Sequence, residues 1–289
     1  MSSQTNADIV IVGAGMVGSL LAALLKNTEL KIILLERTPV TAPATDAAFE
    51  PRVSALTRAS ENLLRHVGAW NEIEKHRFCA YTQMTVWDAD GSGRISFHAR
   101  ELGESHLGIM LENRLLQWAL TQCATQSPHI DFRCPAQLLH MERLPSSWQL
   151  TLTDGSIIET ALVIGADGAQ SAVRNFAHIS TQETPYHQRA IVTTVRTEKP
   201  HQYSCWQRFT ATGPLAFLPL QTQEGDDHFC SIVWSQDDAE AQRILSLDDE
   251  HFCKEIGFAI ENTLGRIEWC DRRQSFPLTA RHAHDYIAD

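Results

Sequence analysis

One stretch near the start constrains the fold of this chain more than any other: ADIVIVGAGMVG, Ala7 to Gly18. An unbroken β-branched run, Ile9 to Val12, enters Gly13-Ala14-Gly15-Met16-Val17-Gly18, and an apolar-faced segment follows. The pattern predicts strand, tight turn and helix, with Val17, Leu20, Leu21, Leu24 and Leu25 at helical intervals. In such a unit the first glycine permits the turn, and the second lets the backbone approach a phosphate. The third lets helix and strand pack closely. N–H groups at the start of the helix then face an anion, assisted by the helix dipole. Lys31 to Leu35 reads as a second buried strand, with Glu36 and Arg37 at its end. A carboxylate there accepts both hydroxyls of an unphosphorylated adenosine ribose and repels a 2′-phosphate. The first site therefore suits FAD or NAD rather than NADP.

At 289 residues the chain can hold one large domain or two ordinary ones. Its 43% hydrophobic and 20% charged content is that of a soluble globular protein. No run reaches membrane-span length, and the N-terminal apolar stretch lacks the basic start and cleavage site of a signal peptide. A net charge of -11 with no basic block argues against nucleic acid as a partner. Seven scattered cysteines with no CxxC pair read as reduced thiols in a cytoplasm. The histidines are dispersed, with His282 and His284 read as surface, and no metal set emerges.

After Glu36 a proline-rich loop spans Thr38 to Pro51, of a length that is often functional. Arg52-Val53-Ser54-Ala55 closes it, and Ser60 to Val67 reads as a helix. Met84 to Trp87 and Arg94 to Phe97 flank Asp90-Gly91 as a hairpin. Glu112 to Ala124 returns to helical spacing, and Ile130 to Cys134 is a short strand. Leu138 to Glu142, Trp148 to Thr153 and Ile157 to Thr160 form an antiparallel meander, followed by a separate buried strand at Leu162-Val163-Ile164. That strand feeds Gly165-Ala166-Asp167-Gly168, placing a carboxylate at the strand end, where ligands bind in open α/β sheets. Thr181 to Arg273 is strand-rich, with one helical stretch from Asp237 to Asn262. Phe276 to Asp289 is expected to turn back toward the first domain.

Several segments in order carry a family resemblance: GAGMVG with Glu36, RVSA at Arg52, ENRLLQWAL at Glu112, and GADGAQSAVR. They resemble the group A flavoprotein aromatic hydroxylases. GPLAFLPL, SIVWS and FPL bring the chain closer to the ubiquinone-biosynthesis hydroxylases, and MTVWDADGSGRISF with SHLGIMLEN to their polyprenylphenol hydroxylase branch. The likeness runs over essentially the whole chain.

The resemblance implies an α/β protein, α+β overall, with a Rossmann-like FAD-binding domain and an interleaved β-rich substrate domain. The expected division is 1–75, 100–180 and 276–289 for FAD binding, and 76–99 with 181–275 for substrate. Carried over by position, the cofactor-binding residues are Gly13, Ala14, Gly15, Met16, Val17, Gly18, Glu36, Arg37, Arg52, Arg114, Leu138 and Asp167. The glycine segment holds the pyrophosphate and Glu36 the adenosine ribose. Arg52 and Arg114 reach the phosphate and ribityl region, Leu138 meets adenine through its backbone, and Asp167 lies near the nicotinamide approach. No catalytic side chain is assigned. NAD(P)H would reduce FAD, and O₂ would pass one oxygen to a polyprenylated phenol through a flavin hydroperoxide. Phe217 and Leu218 are candidate pocket lining or ordinary core. Other quinone-biosynthesis proteins and the inner-membrane surface are the expected partners of a cytoplasmic enzyme. In the family, the segment after FPL leads into a Gly-Asp motif and a Pro-x-x-Gly-Gln-Gly stretch, and this sequence ends before them at Asp289. A flavin-poor chain with a structural role, or an FAD-dependent reductase on the same fold, stays open at this point.

Overall fold

A computed structural model describes residues 4–44 and 48–288; the middle of the expected 38–51 loop lies outside that range. The chain opens with β1 (Gln4–Val12), α1 (Met16–Leu25) and β2 (Ile32–Leu35). Beyond the loop come β3 (Val53–Thr57), α2 (Arg58–Val67), α3 (Trp70–Ile73) and β4 (Cys79–Tyr81). The hairpin β5 (Gln83–Asp88) and β6 (Arg94–His98) precedes β7 (Gly108–Glu112) and α4 (Asn113–Ala124). Next are β8 (Ile130–Arg133), β9 (Leu138–Arg143), β10 (Trp148–Leu152), β11 (Ile157–Gly165) and α5 (Ala172–Phe176). Four long strands follow: β12 (Thr181–Thr197), β13 (Ser204–Thr210), β14 (Gly213–Leu220) and β15 (Phe229–Asp237). The described chain closes with α6 (Asp238–Leu245), α7 (Asp249–Ala259), β16 (Ile267–Cys270) and β17 (Gln274–Ala283).

These strands make three sheets. The first has the order β8-β2-β1-β11-β10-β9. Its β8, β2, β1 and β11 run parallel, and β10 and β9 are antiparallel additions at one edge. The large sheet runs β16-β12-β15-β14-β13-β5-β6, with β17 also paired to β12. A small sheet, β3-β7-β4, lies against the large one through an apolar cluster that includes Tyr81, Met110, Cys205 and Leu220.

The first sheet is covered by α1 and α4, and their contact explains the small residues of α1. Gly18, Ser19, Ala22 and Ala23 form its buried face, and Ala119, Leu120 and Cys123 of α4 share the same core. The Ser19 and Thr121 hydroxyls meet at 3.0 Å inside this contact. The expected stripe of large residues is displaced accordingly. Leu20, Leu21 and Leu25 pack at its margin, whereas Val17 is 73% and Leu24 42% exposed. Small side chains let the two helices approach closely, so bulk is pushed to the flanks.

Three further expectations are revised. The meander strand at Ile157 and the strand at Leu162 are one element, β11, paired parallel to β1 along its length and antiparallel to β10 only from Ile157 to Thr160. No turn residue interrupts it. Because β10 does not extend beside its second half, Leu162 is 49% exposed rather than buried. The helical stretch Asp237 to Asn262 is two helices, broken where Asp248 caps α7 by accepting a 2.9 Å hydrogen bond from the His251 N–H. Phe276 to Ala283 belongs to β17 on the edge of β12, in the large sheet. The segment from Ala283 to Ala288 lines a hollow against β11 and α5.

Candidate functional site

A cavity of about 450 Å³ opens at the carboxyl ends of β1, β2 and β11, where Val12, Leu35 and Ala166 form its floor. That is the crevice in which open α/β sheets hold their ligands. Gly13, Gly15, Glu36, Arg37, Arg52, Leu138 and Asp167 all line it. Seven residues from five stretches of the sequence are thus brought to one hollow.

The glycine segment divides its labour. Gly13 has φ +102°, and a Cβ built on it would come within 2.5 Å of the Ala166 oxygen. A Cβ at Gly18 would be 1.9 Å from the Gly13 oxygen, so this third glycine is what lets α1 descend onto the turn. At Gly15 the space is open, with no atom within 4 Å of a built Cβ. Gly15 is also the N-cap of α1 and supplies no side-chain cap, and the first turn carries no acidic residue. The N–H groups of that turn are donors without a local side-chain partner, next to a cavity wide enough for an anion. Met16 and Val17 contribute this backbone and do not line the cavity with their side chains.

Glu36 holds the loop together. Its Oε2 accepts a hydrogen bond from the Ala14 N–H at 2.9 Å, and Oε1 accepts one from the Thr38 N–H at 2.9 Å. An ionised carboxylate has about four acceptor positions, so two remain for ribose hydroxyls. The Ala14 oxygen accepts from Gln117 Nε2 at 2.8 Å and from Ser19 Oγ at 3.0 Å. Gln117 is a residue that sequence reasoning missed. Its signal was present in ENRLLQWAL, as a polar position on an otherwise buried helix face. Beside Glu36, burial raises the Cys134 thiol above its ordinary value, and the nearby carboxylate adds to this.

Asp167 is half-committed. Its Oδ2 accepts from the Ala172 and Val173 N–H groups at 2.7 and 3.3 Å, capping α5. Its Oδ1 is buried and has no hydrogen-bond partner. A buried carboxylate oxygen left unpaired is costly, on the order of 1–3 kcal/mol, unless a ligand donor reaches it. Gly168 beside it has φ +82°, and Gln170 and Gln137 add amides to the wall.

The arginines differ. Arg37 and Arg52 are exposed cations on the cavity wall, and the Arg52 guanidinium lies 6.0 Å from the Phe276 ring. Arg114, at the start of α4, bonds Glu50 at 3.0 Å and Thr41 at 2.6 Å. It ties down the 38–51 loop from outside the cavity. Leu138 is 7% exposed and packs into the core below. On the large sheet, Phe217 is fully buried in the core against α6 and α7, whereas Leu218 turns to the apolar cluster beside the small sheet. The ligand atoms of three consecutive residues, Asp226, Asp227 and His228, lie within 4.8 Å of one another in the turn before β15.

Together, a glycine turn at the carboxyl edge of a parallel sheet, an uncapped helix start and a carboxylate with acceptor positions to spare at the end of the second strand define a dinucleotide-binding protein. The residues present fit FAD: Gly15 leaves room for the pyrophosphate, and the unpaired Asp167 oxygen awaits a donor. Residues 6–289 match the family described as FAD binding domain. The chain is 34% identical over 280 residues to 3-demethoxyubiquinol 3-hydroxylase of Escherichia coli, covering 97% of this chain and 70% of that protein. It is 32% identical over 299 residues to the mitochondrial ubiquinone biosynthesis monooxygenase COQ6 of Mus musculus, covering 98% of this chain and 60% of that one. Among solved structures, PqsL of P. aeruginosa in complex with 2-aminobenzoylacetate superposes with a TM-score of 0.76 at 18% identity, covering 95% of this chain and 74% of that one. The chain belongs to the FAD-binding-domain family, in its group of flavoprotein hydroxylases related to ubiquinone biosynthesis.

Proposed function

We propose that the chain is the FAD- and substrate-binding part of a monooxygenase that hydroxylates the ring of a polyprenylated phenol, using NAD(P)H and O₂. When bound, FAD supplies the redox chemistry and the activation of oxygen. The chain's own residues bind, orient and exclude water. The N–H groups at the start of α1 and the open face of Gly15 hold the pyrophosphate, with Arg52 and Arg37 balancing its charge. Glu36 accepts the ribose hydroxyls while keeping the glycine turn in place. Ala14 and Gly18 act through the backbone, and Arg114 sets the loop that carries Glu50 and leads to Arg52. Leu138 meets the adenine end, and Asp167 takes a hydroxyl donor on Oδ1. The division into 1–75 and 100–180 for FAD and 76–99 with 181–275 for substrate is part of this reading, with 276–289 joining the FAD-binding part only from Ala283 on, after β17 leaves the large sheet. The ring would enter along the apolar face of the large sheet that carries Leu218. Such a substrate is membrane-resident, so the chain would work at a membrane surface, in company with other quinone-biosynthesis proteins. Among the described residues no helix is long and apolar enough to cross a membrane.

The unpaired, buried Asp167 oxygen carries this reading, because no described residue engages it while its neighbour Oδ2 caps α5. Asp167→Ala should weaken FAD binding by tenfold or more, roughly one good hydrogen bond to a charged group. Titration of flavin fluorescence measures it. Unchanged affinity in the variant, or no FAD binding by the wild-type chain, would remove the assignment. Product analysis with a prenylated phenol then separates hydroxylation from simple NAD(P)H oxidation.

A further inference from the structure

On the far side of the large sheet, α7 and the edge strand β16 flank a groove of about 710 Å³. Cys253 of α7 and Cys270 of β16 both line it. Cys270 is 6% exposed and part of the apolar core there, and Cys253 packs against that core while staying partly open to solvent. The two thiols are close enough to hydrogen-bond to each other. This contact lowers the Cys253 thiol below its ordinary value, prevailing over burial and the Asp249 carboxylate, with a smaller contribution from the Arg273 guanidinium, and it raises Cys270. Arg273 is held in place by the Leu247 oxygen at 2.7 Å and Asp249 at 2.8 Å, so its charge stays near the pair.

Three other cysteines, Cys79, Cys205 and Cys230, have the opposite character. Burial pushes Cys79 up to about 12 and raises Cys205 and Cys230 as well. Cys123 is buried and donates to the Val67 oxygen at 2.7 Å. Thiols in such surroundings are inert packing. One partly exposed thiol, within hydrogen-bonding reach of a second, buried thiol beneath it, is the arrangement of an attacking and a resolving cysteine.

From the shared groove and the thiol–thiol contact, we propose that Cys253 and Cys270 form a redox-modifiable pair, which hydrogen peroxide converts to a disulfide joining α7 to β16. The Cys253 thiolate attacks one peroxide oxygen and the O–O bond breaks, leaving a sulfenic acid on Cys253 and a hydroxide that takes up a proton. The Cys270 sulfur then attacks the Cys253 sulfur. The S–O bond breaks, the S–S bond forms, and water leaves with the Cys270 proton. Two thiols are oxidised by two electrons in all, and one peroxide is reduced to two waters. Closure brings two sulfurs that share one groove and one core to the bonding distance of about 2.05 Å. Because β16 has only β12 as a strand neighbour among the described residues, the bond would fasten an otherwise open sheet edge to its covering helix. A small dithiol reductant reverses it.

The test uses the 289-residue chain exposed to equimolar hydrogen peroxide, followed by intact mass and non-reducing peptide mapping. The expected product has lost two hydrogens, carries a Cys253–Cys270 cross-linked peptide, and returns to the starting mass with dithiothreitol. In Cys270→Ser, a sulfenic acid should be trapped at Cys253 by dimedone. In Cys253→Ser, Cys270 should stay reduced under the same treatment. Alkylation by iodoacetamide should be about tenfold faster at Cys253 than at any other cysteine. Circular dichroism of each serine variant confirms its fold. Oxidation appearing first at another cysteine, or Cys253 proceeding to sulfinic acid with Cys270 still a free thiol, would overturn the proposal.

Discussion

Gly15 and Gly18 are three residues apart in one motif, yet the structure gives them opposite duties. Alanine at Gly18 would drive a methyl to 1.9 Å from the Gly13 oxygen, a backbone atom that cannot yield. Alanine at Gly15 would meet nothing within 4 Å, and the Gly15 φ of -67° suits any residue. Gly18→Ala should therefore cost about 3 kcal/mol or more of stability, as overpacking against backbone does. Gly15→Ala should leave stability within about 1 kcal/mol, the effect of alanine at an N-cap. It should still lower FAD affinity at least tenfold, because its methyl projects into phosphate space. Urea midpoints and flavin titration read the two effects separately. The spacing of this motif was legible in the sequence because each glycine answers a local steric demand. Glu36 was legible by position, but its hydrogen bond to the Ala14 N–H was not, and neither was Gln117 reaching the same residue from α4. Those contacts cross long sequence distances, and no local pattern encodes them.

At the level of elements, α2 shows how a polar network can secure a helix. Glu61, 1% exposed, receives hydrogen bonds from His106 at 2.7 Å and Arg65 at 2.8 Å, and one from Arg58. Arg58 in turn bonds Glu104 at 3.2 Å, linking α2 to the segment before β7. Burial by itself would raise the Glu61 carboxyl, but the hydrogen bonds from His106, Arg65 and Arg58 prevail and hold it at about 2. A carboxylate depressed in the folded state contributes stability above its ordinary value near 4.5. That contribution disappears as pH falls toward 2. Glu61→Gln should destabilise the chain by about 3 kcal/mol at neutral pH, since the arginines lose a buried counter-charge. The gap between variant and wild type should close progressively below about pH 4.5 in chemical denaturation. A gap independent of pH would assign the effect to packing instead. The helix Ser60 to Val67 was legible from its spacing. Its starting turn at Arg58 and its partners were not, because ENLLRH shows charge alternation that a solvated face would also produce.

Over the whole molecule, β14 stands between two separate apolar clusters. The sequence reading left Phe217 and Leu218 as either pocket or core, and alternation along the strand turns them to opposite faces of the sheet. Phe217 pairs across to Ile232 and Trp206 and is fully exposed to none of the solvent, packed in the core under α6 and α7. Leu218 pairs with Ser231 and faces the small sheet, where Phe49, Met84 and Met110 share its apolar cluster. GPLAFLPL is apolar at nearly every position, so no periodicity distinguishes its faces; only the placement of α6, α7 and the small sheet does. Phe217→Ala should cost about 3–5 kcal/mol, the value for a large aromatic removed from a closed core. Leu218→Ala should cost about 2 kcal/mol or less, because its surroundings are partly open and can relax. If the ring enters along the Leu218 face, the smaller change should raise KM for a prenylated phenol several-fold while flavin affinity stays unchanged. Phe217→Ala should lower the yield of folded protein and leave KM of the folded fraction as it was. Thermal unfolding paired with steady-state kinetics on the same preparations distinguishes the two faces. Equal KM effects from both substitutions would place the substrate elsewhere than along β14.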